Sequence, residues 1–451
     1  MKWLKNWAKS RPSSYFLNDK TFAEIYAQTE ELASHLAKPL SRHERVALLS
    51  ENSVEMAVVL FALLGLKKEV LLLNTHLTSG ELEEQMTELG TRQVLVSDHL
   101  VAKIPTGLKF SDLLKGPAEK VVLEELPDPR KIAVLMNTSA TTGRFKTVPI
   151  RWEMIEAHVK ASQEVIGVQA EDNWLTILPM FHVSGLSIIM RSLYNGSRAD
   201  ILPAFEQEVV LEKIRTGQVN MVSLVPTMLK ALIDRIDQHS LRMILLGGEF
   251  IPQPLMTESL AMNLPIYKTY GMTETFSQSV TFNILEAPNK LASVGRPLPG
   301  VTIQIVEPDA DGIGQVYLRS PMLMRGYLNQ PEIGSIFNTG DIGRLDEEGY
   351  LYIYNRRKDM IISGGENIYP KEIEDRLYSL PGIQECALVA KMDEKWGQVP
   401  VLFYAGQATE NEVQVYLEKH LAKYKRPKTI YKLDSLPKNA SGKILRKELR
   451  P

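Results

Sequence analysis

The sequence predicts an α/β protein in two parts: a large domain of stacked, mostly parallel sheets carrying an antiparallel β subdomain, then a small α+β domain. Three observations predict it. Short aliphatic or β-branched runs alternate with stretches of helical period between about residues 45 and 246. From about Leu291 the texture changes to short strands punctuated by Gly, Pro and Asp. Beyond "NRRKD" (355–359) a unit with its own strands and two helices begins, so the division falls at 1–357 and 358–451.

The strand runs of the first part are "RVALLS" (45–50), "EVLLLN" (69–74), "RQVLVSD" (92–98), "KIAVLM" (131–136) and "LRMILLGG" (241–248). Apolar on both faces and separated by helices, such runs suit parallel sheets covered on both sides. "MAVVLFALLGL" (56–66) is too short to span a bilayer and reads as a core helix. "RWEMIEAHVKASQEVIG" (151–167) reads as a helix that follows a strand, a polar loop and "VPI". "VTIQIVEP", "GQVYLRS" and "GYLYIYN" form the antiparallel part. "ECALVAK", "VPVLFYA" and the helical "NEVQVYLEKHLAKY" build the terminal unit.

Composition excludes several classes. With 52 Lys plus Arg against 54 Asp plus Glu the formal charge is -2, so no global field attracts nucleic acid or an anionic membrane, and any anionic ligand must be gripped locally. The one cysteine, Cys386, rules out an internal disulfide and reads as a small buried apolar residue in a reducing compartment. The start "MKWLKNWAKSRP" leads into no apolar segment, so a cytoplasmic protein is expected. A homo-oligomer is compatible with all of this.

The polar loop "MNTSATTGRFKTVP" (136–149) offers small side chains, hydroxyls and a cation, the general requirements for holding a polyphosphate: Thr138, Ser139, Thr141, Thr142, Gly143 and Lys146. It does not satisfy the Gly-Lys pattern of a P-loop, and by itself a polar surface turn explains it. Four further motifs follow in order: "TYGMTE" (269–274), "NTGD" (338–341), "NRRKDMIISGGENIYPKEIE" (355–374) and "LPKNASGKILR" (436–446). Together they make the chain resemble the adenylate-forming superfamily of acyl-CoA synthetases, luciferases and peptide-synthetase adenylation domains, from about residue 20 to its end. The family's loop is usually T-S-G-[ST]-T-G-x-P-K-G; here Ala140, Phe145 and Thr147 replace two glycines and the proline.

The resemblance implies a carboxylic acid attacking ATP with Mg²⁺ present, release of pyrophosphate, and transfer of the acyl group from AMP to CoA. It implies that Lys443 is the catalytic lysine, that Thr273 bonds the α-phosphate, that Glu274 binds magnesium, and that the 138–146 loop clamps the outer phosphates. Tyr270 would stack on adenine near Gly247 and Gly248, while Asp341 and Arg356 would hold the ribose. His182 would gate the acyl pocket. The small domain would be mobile, swinging about Lys358 to bring Gly364 and Gly365 toward the site. Several stretches, including "LPMFHVSGLSIIMRSLYNG" (178–196), are most similar to members acting on succinylbenzoate, an aromatic dicarboxylate. One carboxylate is activated; the other needs a fixed cation, for which Arg191 is the candidate, with Ser223 and Ser277 adding hydroxyls. A CoA ligase for another aryl or fatty acid, and a nucleotide-binding protein without ligase activity, are the competing expectations.

Overall fold

The computed structural model describes residues 2–123, 128–138, 145–356, 359–363, 366–393, 396–421, 423–439 and 442–450, apart from the side chains of Asn355, Arg356, Ile362, Glu366, Asn367 and Tyr424. Within them two large sheets, a small antiparallel sheet and a terminal sheet form the architecture.

The first sheet runs Leu108–Lys109, Val94–Val96, Arg45–Leu49, Glu69–Leu72, Ile132–Thr138, Lys146–Arg151, all neighbours parallel except the last pair. The second is longer, with Ile266–Met272, Met243–Leu246, Met221–Leu224, Asn173–Thr176 and Arg198–Ile201 parallel at its centre and antiparallel neighbours toward its edges. Helix Val54–Gly65 is apolar all round, and everything from Met56 to Gly65 is buried, which is the position its composition requires. Ser53 caps it by accepting from the Met56 N–H at 2.9 Å. Helix Trp152–Ile166 follows its strand as expected and buries Met154, Ile155, His158, Val159 and Ser162.

Thr302–Val306, Gly314–Arg319, Phe337–Leu345 and Leu351–Arg356 make an antiparallel meander, the predicted β subdomain. From Ile361 onward the chain encloses a separate core of Ile361, Ile373, Leu377, Leu388, Leu402, Tyr404, Val413 and Leu417. Cys386 lies in it, buried as its sequence context suggests.

The terminal hairpin that carries Lys443 is fastened to this small domain at both feet. Asn439 accepts from the Lys443 N–H through its side-chain oxygen at 2.8 Å, and Lys438 pairs with Glu385. Arg446 makes two bonds, 2.5 and 2.8 Å, to the buried Glu374 on helix Pro370–Tyr378, and Glu374 also accepts from the Leu388 N–H at 2.6 Å. Removing one partner of such a pair strands a buried charge. Arg446→Met is therefore predicted to lower stability by about 3 kcal/mol, with Glu374→Gln in the same chain recovering part of it. Urea titrations of the two single variants and the double variant check this, and an additive double variant would contradict it.

Candidate active site

Parallel sheets leave the carboxyl ends of their strands open, and ligands settle there. One cavity of about 1110 Å³ lies at those ends: after Asn173–Thr176 come Leu178, Pro179 and His182; after Met221–Leu224, Val225; after Met243–Leu246, Gly247 and Gly248; after Ile266–Met272, Thr273 and Glu274. Thr138 and Lys146 come in from the first sheet, Asn338 and Gly340 from the meander, and Lys443 from the small domain.

Backbone packing explains the two glycines. A side chain at Gly247 would sit 2.6 Å from the Thr269 methyl and 2.8 Å from its carbonyl oxygen, and Gly248 has φ +85°. Nearby, the Tyr270 hydroxyl donates to Asp341 Oδ2 at 2.5 Å, and the Asp341 N–H is held by Thr339 Oγ1 at 3.1 Å. Asp341 and Tyr270 stand beside the cavity rather than among its lining residues. Backbone pairing sets Arg356 opposite Asp341.

At the other end of this face Tyr327 ties two expected phosphate-handling residues together. Its hydroxyl donates to Glu274 Oε1 at 2.8 Å, and the Lys146 ammonium lies 4.8 Å from its ring centroid. A single hard carboxylate oxygen fits a magnesium ion held mainly by phosphate and water, and no group of three or more His, Cys, Asp or Glu gathers among the described residues. Thr138 ends its strand with its hydroxyl on the Lys146 carbonyl at 3.2 Å. Ser139, Thr141, Thr142 and Gly143 of the phosphate loop lie outside the described residues, as do Lys358, Gly364 and Gly365. Two departures from the loop pattern have local causes. Thr147 is buried and donates to Asn137 Oδ1 at 2.6 Å, while Phe145 packs on the apolar layer with Leu328.

The end expected to take the acid is walled by His182, Ser223, Leu245, Ser277 and Gln278. Ser223 Oγ accepts from the Trp174 indole at 3.0 Å, and Ser277 Oγ lies 3.3 Å from that of Ser187. Arg191 does not line the cavity, so it makes no direct contact there. It is 1% exposed, one layer back on helix Val183–Asn195, with Nη2 bonded to His158 Nε2 at 2.8 Å and to Gln278 Oε1 at 3.0 Å and its guanidinium over Trp174. Burial pushes it down to about 9, so it stays charged at neutral pH.

Lys443 reaches the cavity across the seam between the domains. A side chain at Gly442 would lie 3.3 Å from Glu249 Oε1, and burial raises Glu249 to about 7 against the opposing pull of Lys443 and Lys438. In the same seam Lys371 donates to the Ile353 carbonyl at 2.6 Å and its ammonium stands over the Phe250 ring. Glu249, Tyr327 and Gln278 were given no role from the sequence, although Glu249 and Gln278 lie within or beside its motifs, because their contacts are tertiary.

The AMP-binding enzyme family model matches residues 4–328, and the AMP-binding enzyme C-terminal domain matches 372–443. The chain belongs to the AMP-binding enzyme family. This AMP-binding enzyme is 60% identical over 451 residues, 100% of both chains, to 2-succinylbenzoate--CoA ligase of Lactococcus lactis subsp. lactis (strain IL1403). It superposes on o-succinylbenzoate CoA synthetase of Bacillus subtilis in complex with the acyl-adenylate intermediate OSB-AMP with a TM-score of 0.93 at 35% identity, covering 100% of this chain and 98% of that one. A double mutant of that synthetase bound with the product analogue OSB-NCoA, at the same identity and coverage, gives 0.76.

Half-buried His182 packs against Phe181, ring centroids 4.7 Å apart, and burial followed by the nearby His76 pushes it down to about 4 from the usual 6.5. The unfolded chain therefore takes up a proton between those values that the folded chain does not. The stability His182 contributes is full above pH 6.5 and is lost as the pH falls toward 4. Urea midpoints are expected to drop over that window, less steeply in His182→Gln by up to about one proton; an unchanged slope would contradict the burial argument.

Proposed function

We propose that this chain is an AMP-forming acid–CoA ligase whose acid is o-succinylbenzoate, making the CoA thioester that menaquinone synthesis uses. The observation that carries the reading is a lysine ammonium, Lys443, at the wall of a cavity that also holds Thr273, Glu274, Thr138 and Lys146 at one end and an acid pocket at the other. Adenylation brings two anions together, and fixed positive charge is what lowers that barrier. Lys443 supplies it between acid carboxylate and α-phosphate; Thr273 bonds the α-phosphate; Lys146, Thr138 and the loop after it hold the outer phosphates. Glu274 would hold magnesium, whose charge offsets that of the leaving pyrophosphate. Asp341, with Arg356, takes the ribose hydroxyls beside Tyr270, and His182 with Phe181 closes the acid pocket.

The acid is read from the relatives and from charge. Both succinylbenzoate enzymes named above match the whole chain, and the buried cation Arg191 behind the acid pocket suits a substrate with a second carboxylate, whereas an aryl monoacid or fatty acid gives it no counter-charge. The hinge at Lys358 lets the small domain withdraw Lys443 once the adenylate exists, bringing Gly364 and Gly365 in for the thiol. A cytoplasmic setting goes with these substrates.

Pyrophosphate release over a panel of acids tests the reading: succinylbenzoate is expected to exceed benzoate derivatives and fatty acids by on the order of 100-fold in kcat/KM. A monoacid preferred to it would redirect the assignment, and silence with every acid would make the chain a nucleotide binder. Lys443→Ala is expected to slow adenylation on the order of 100-fold or more while a preformed acyl adenylate still yields thioester at the usual rate. Equal loss of both steps would remove Lys443 from its role.

A further inference from the structure

Lys443 comes to the cavity from the small domain, so whatever holds that domain against the large one sets how often the ammonium is in place. Several of the contacts that do so meet on one short loop of the large domain. Strand Met243–Leu246 ends in Gly247 and Gly248, the second with a φ of +85°, and helix Gln253–Ala261 begins directly after Pro252. Ile251 fixes the loop by burying its side chain in the core of the second sheet. Its neighbours Glu249 and Phe250 face the small domain instead.

One face of helix Pro370–Tyr378 is laid on this loop. Lys371, Asp375 and Tyr378 recur at i, i+4 and i+7, so all three project the same way. The Lys371 ammonium stands 5.0 Å from the Phe250 ring centroid while donating to the Ile353 carbonyl at 2.6 Å, and the Tyr378 ring lies 6.2 Å from that of Phe250. Burial raises Asp375 to about 7, against the opposing pull of Lys371, Lys268 and the Gln253 N–H. The Lys443 hairpin meets the loop one residue earlier: Gly442 has φ +86°, and a side chain there would lie 3.3 Å from both Glu249 Oε1 and Thr227 Oγ1. Helix and hairpin therefore dock on adjacent residues of the same loop.

Phe250 is the member of the loop suited to carry the energy of that docking. An aromatic ring in a seam contributes more than polar contacts at its rim, and an ammonium over a ring gains more as water is withdrawn from it. Burial lowers Lys371 from its ordinary range, which shows how far its ammonium has left water. The ring and the Ile353 carbonyl both belong to the large domain, so the ammonium has them together in this orientation or loses them together.

We propose that Phe250 is a positioning residue: by receiving Lys371 and Tyr378 it holds the small domain in the orientation that presents Lys443, and so it supports acid adenylation and not thioester formation. The inference rests on the proposed withdrawal of Lys443 once the adenylate exists. It requires no particular acid.

The two half-reactions are measured separately in the full chain: pyrophosphate release with ATP and acid, and thioester formation from preformed acyl adenylate and CoA. Phe250→Ala is expected to slow adenylation about 10-fold, chiefly in kcat, with thioester formation at least as fast as before. Phe250→Tyr, which keeps an aromatic face for the ammonium, is expected to restore most of the adenylation rate. Lys371→Met removes the same contact from the small domain, so its loss and that of Phe250→Ala are expected not to add in the double variant. Additive losses, or a proportional loss of both half-reactions, would make Phe250 merely structural and overturn the inference. A loss confined to the KM for ATP would place Phe250 with the adenine and overturn it too. If the unsubstituted chain releases pyrophosphate with no acid, the functional reading falls first and takes this inference with it; adenylation that Phe250→Ala leaves untouched overturns the inference alone.

Discussion

Charge neutralisation between two anions is the constraint around which this molecule is arranged. A carboxylate and a triphosphate repel, and in a cavity walled by protein their repulsion is less screened than in water. The chain answers with cations drawn from separate places: Lys146 beside Tyr327 at the phosphate end, Lys443 from the small domain, and Arg191 behind the acid end. Its formal charge of -2 shows that this positive potential is local construction rather than a global property.

Each cation is held by a different device, and the devices suit their tasks. Arg191 is locked in by burial, by Gln278 and by Trp174, as a permanent feature of the pocket wall should be. Lys443 sits on a hairpin pinned to the small domain by Glu374 and Glu385, so its place is set by that domain. The seam it crosses is less comfortable. Burial raises Glu249 and Asp375 to about 7 and lowers Lys268 to about 7, and among the described residues Glu249 Oε1 and Asp375 Oδ1 are buried without partners. Burying these groups in the seam costs desolvation.

The sequence was most legible where periodicity decides structure. "KIAVLM" and "LRMILLGG" became the parallel strands Ile132–Thr138 and Met243–Leu246, and "GYLYIYN" the last strand of the meander, because apolar runs bounded by turn residues have few other solutions. Motifs at strand ends supplied Thr273, Glu274, Gly247, Gly248 and His182, which line one cavity with Lys443 from the small domain's hairpin. Depth was not legible. Helical spacing shows that Arg191 faces inward, but not that one further side chain stands between it and the ligand. Gln278 was hidden because its direction comes from left-handed φ values at Phe276 and Ser277, which neither residue type advertises. Phe145 and Thr147 look like damage to a loop pattern, yet each has a packing or hydrogen-bonding partner of its own.

The most direct measurement is a crystal structure of the chain with a non-hydrolysable analogue of the succinylbenzoyl adenylate. The account predicts the Lys443 ammonium within about 3.2 Å of both an acyl oxygen and an α-phosphate oxygen. An analogue bound with Lys443 facing solvent and remote from the α-phosphate would contradict it.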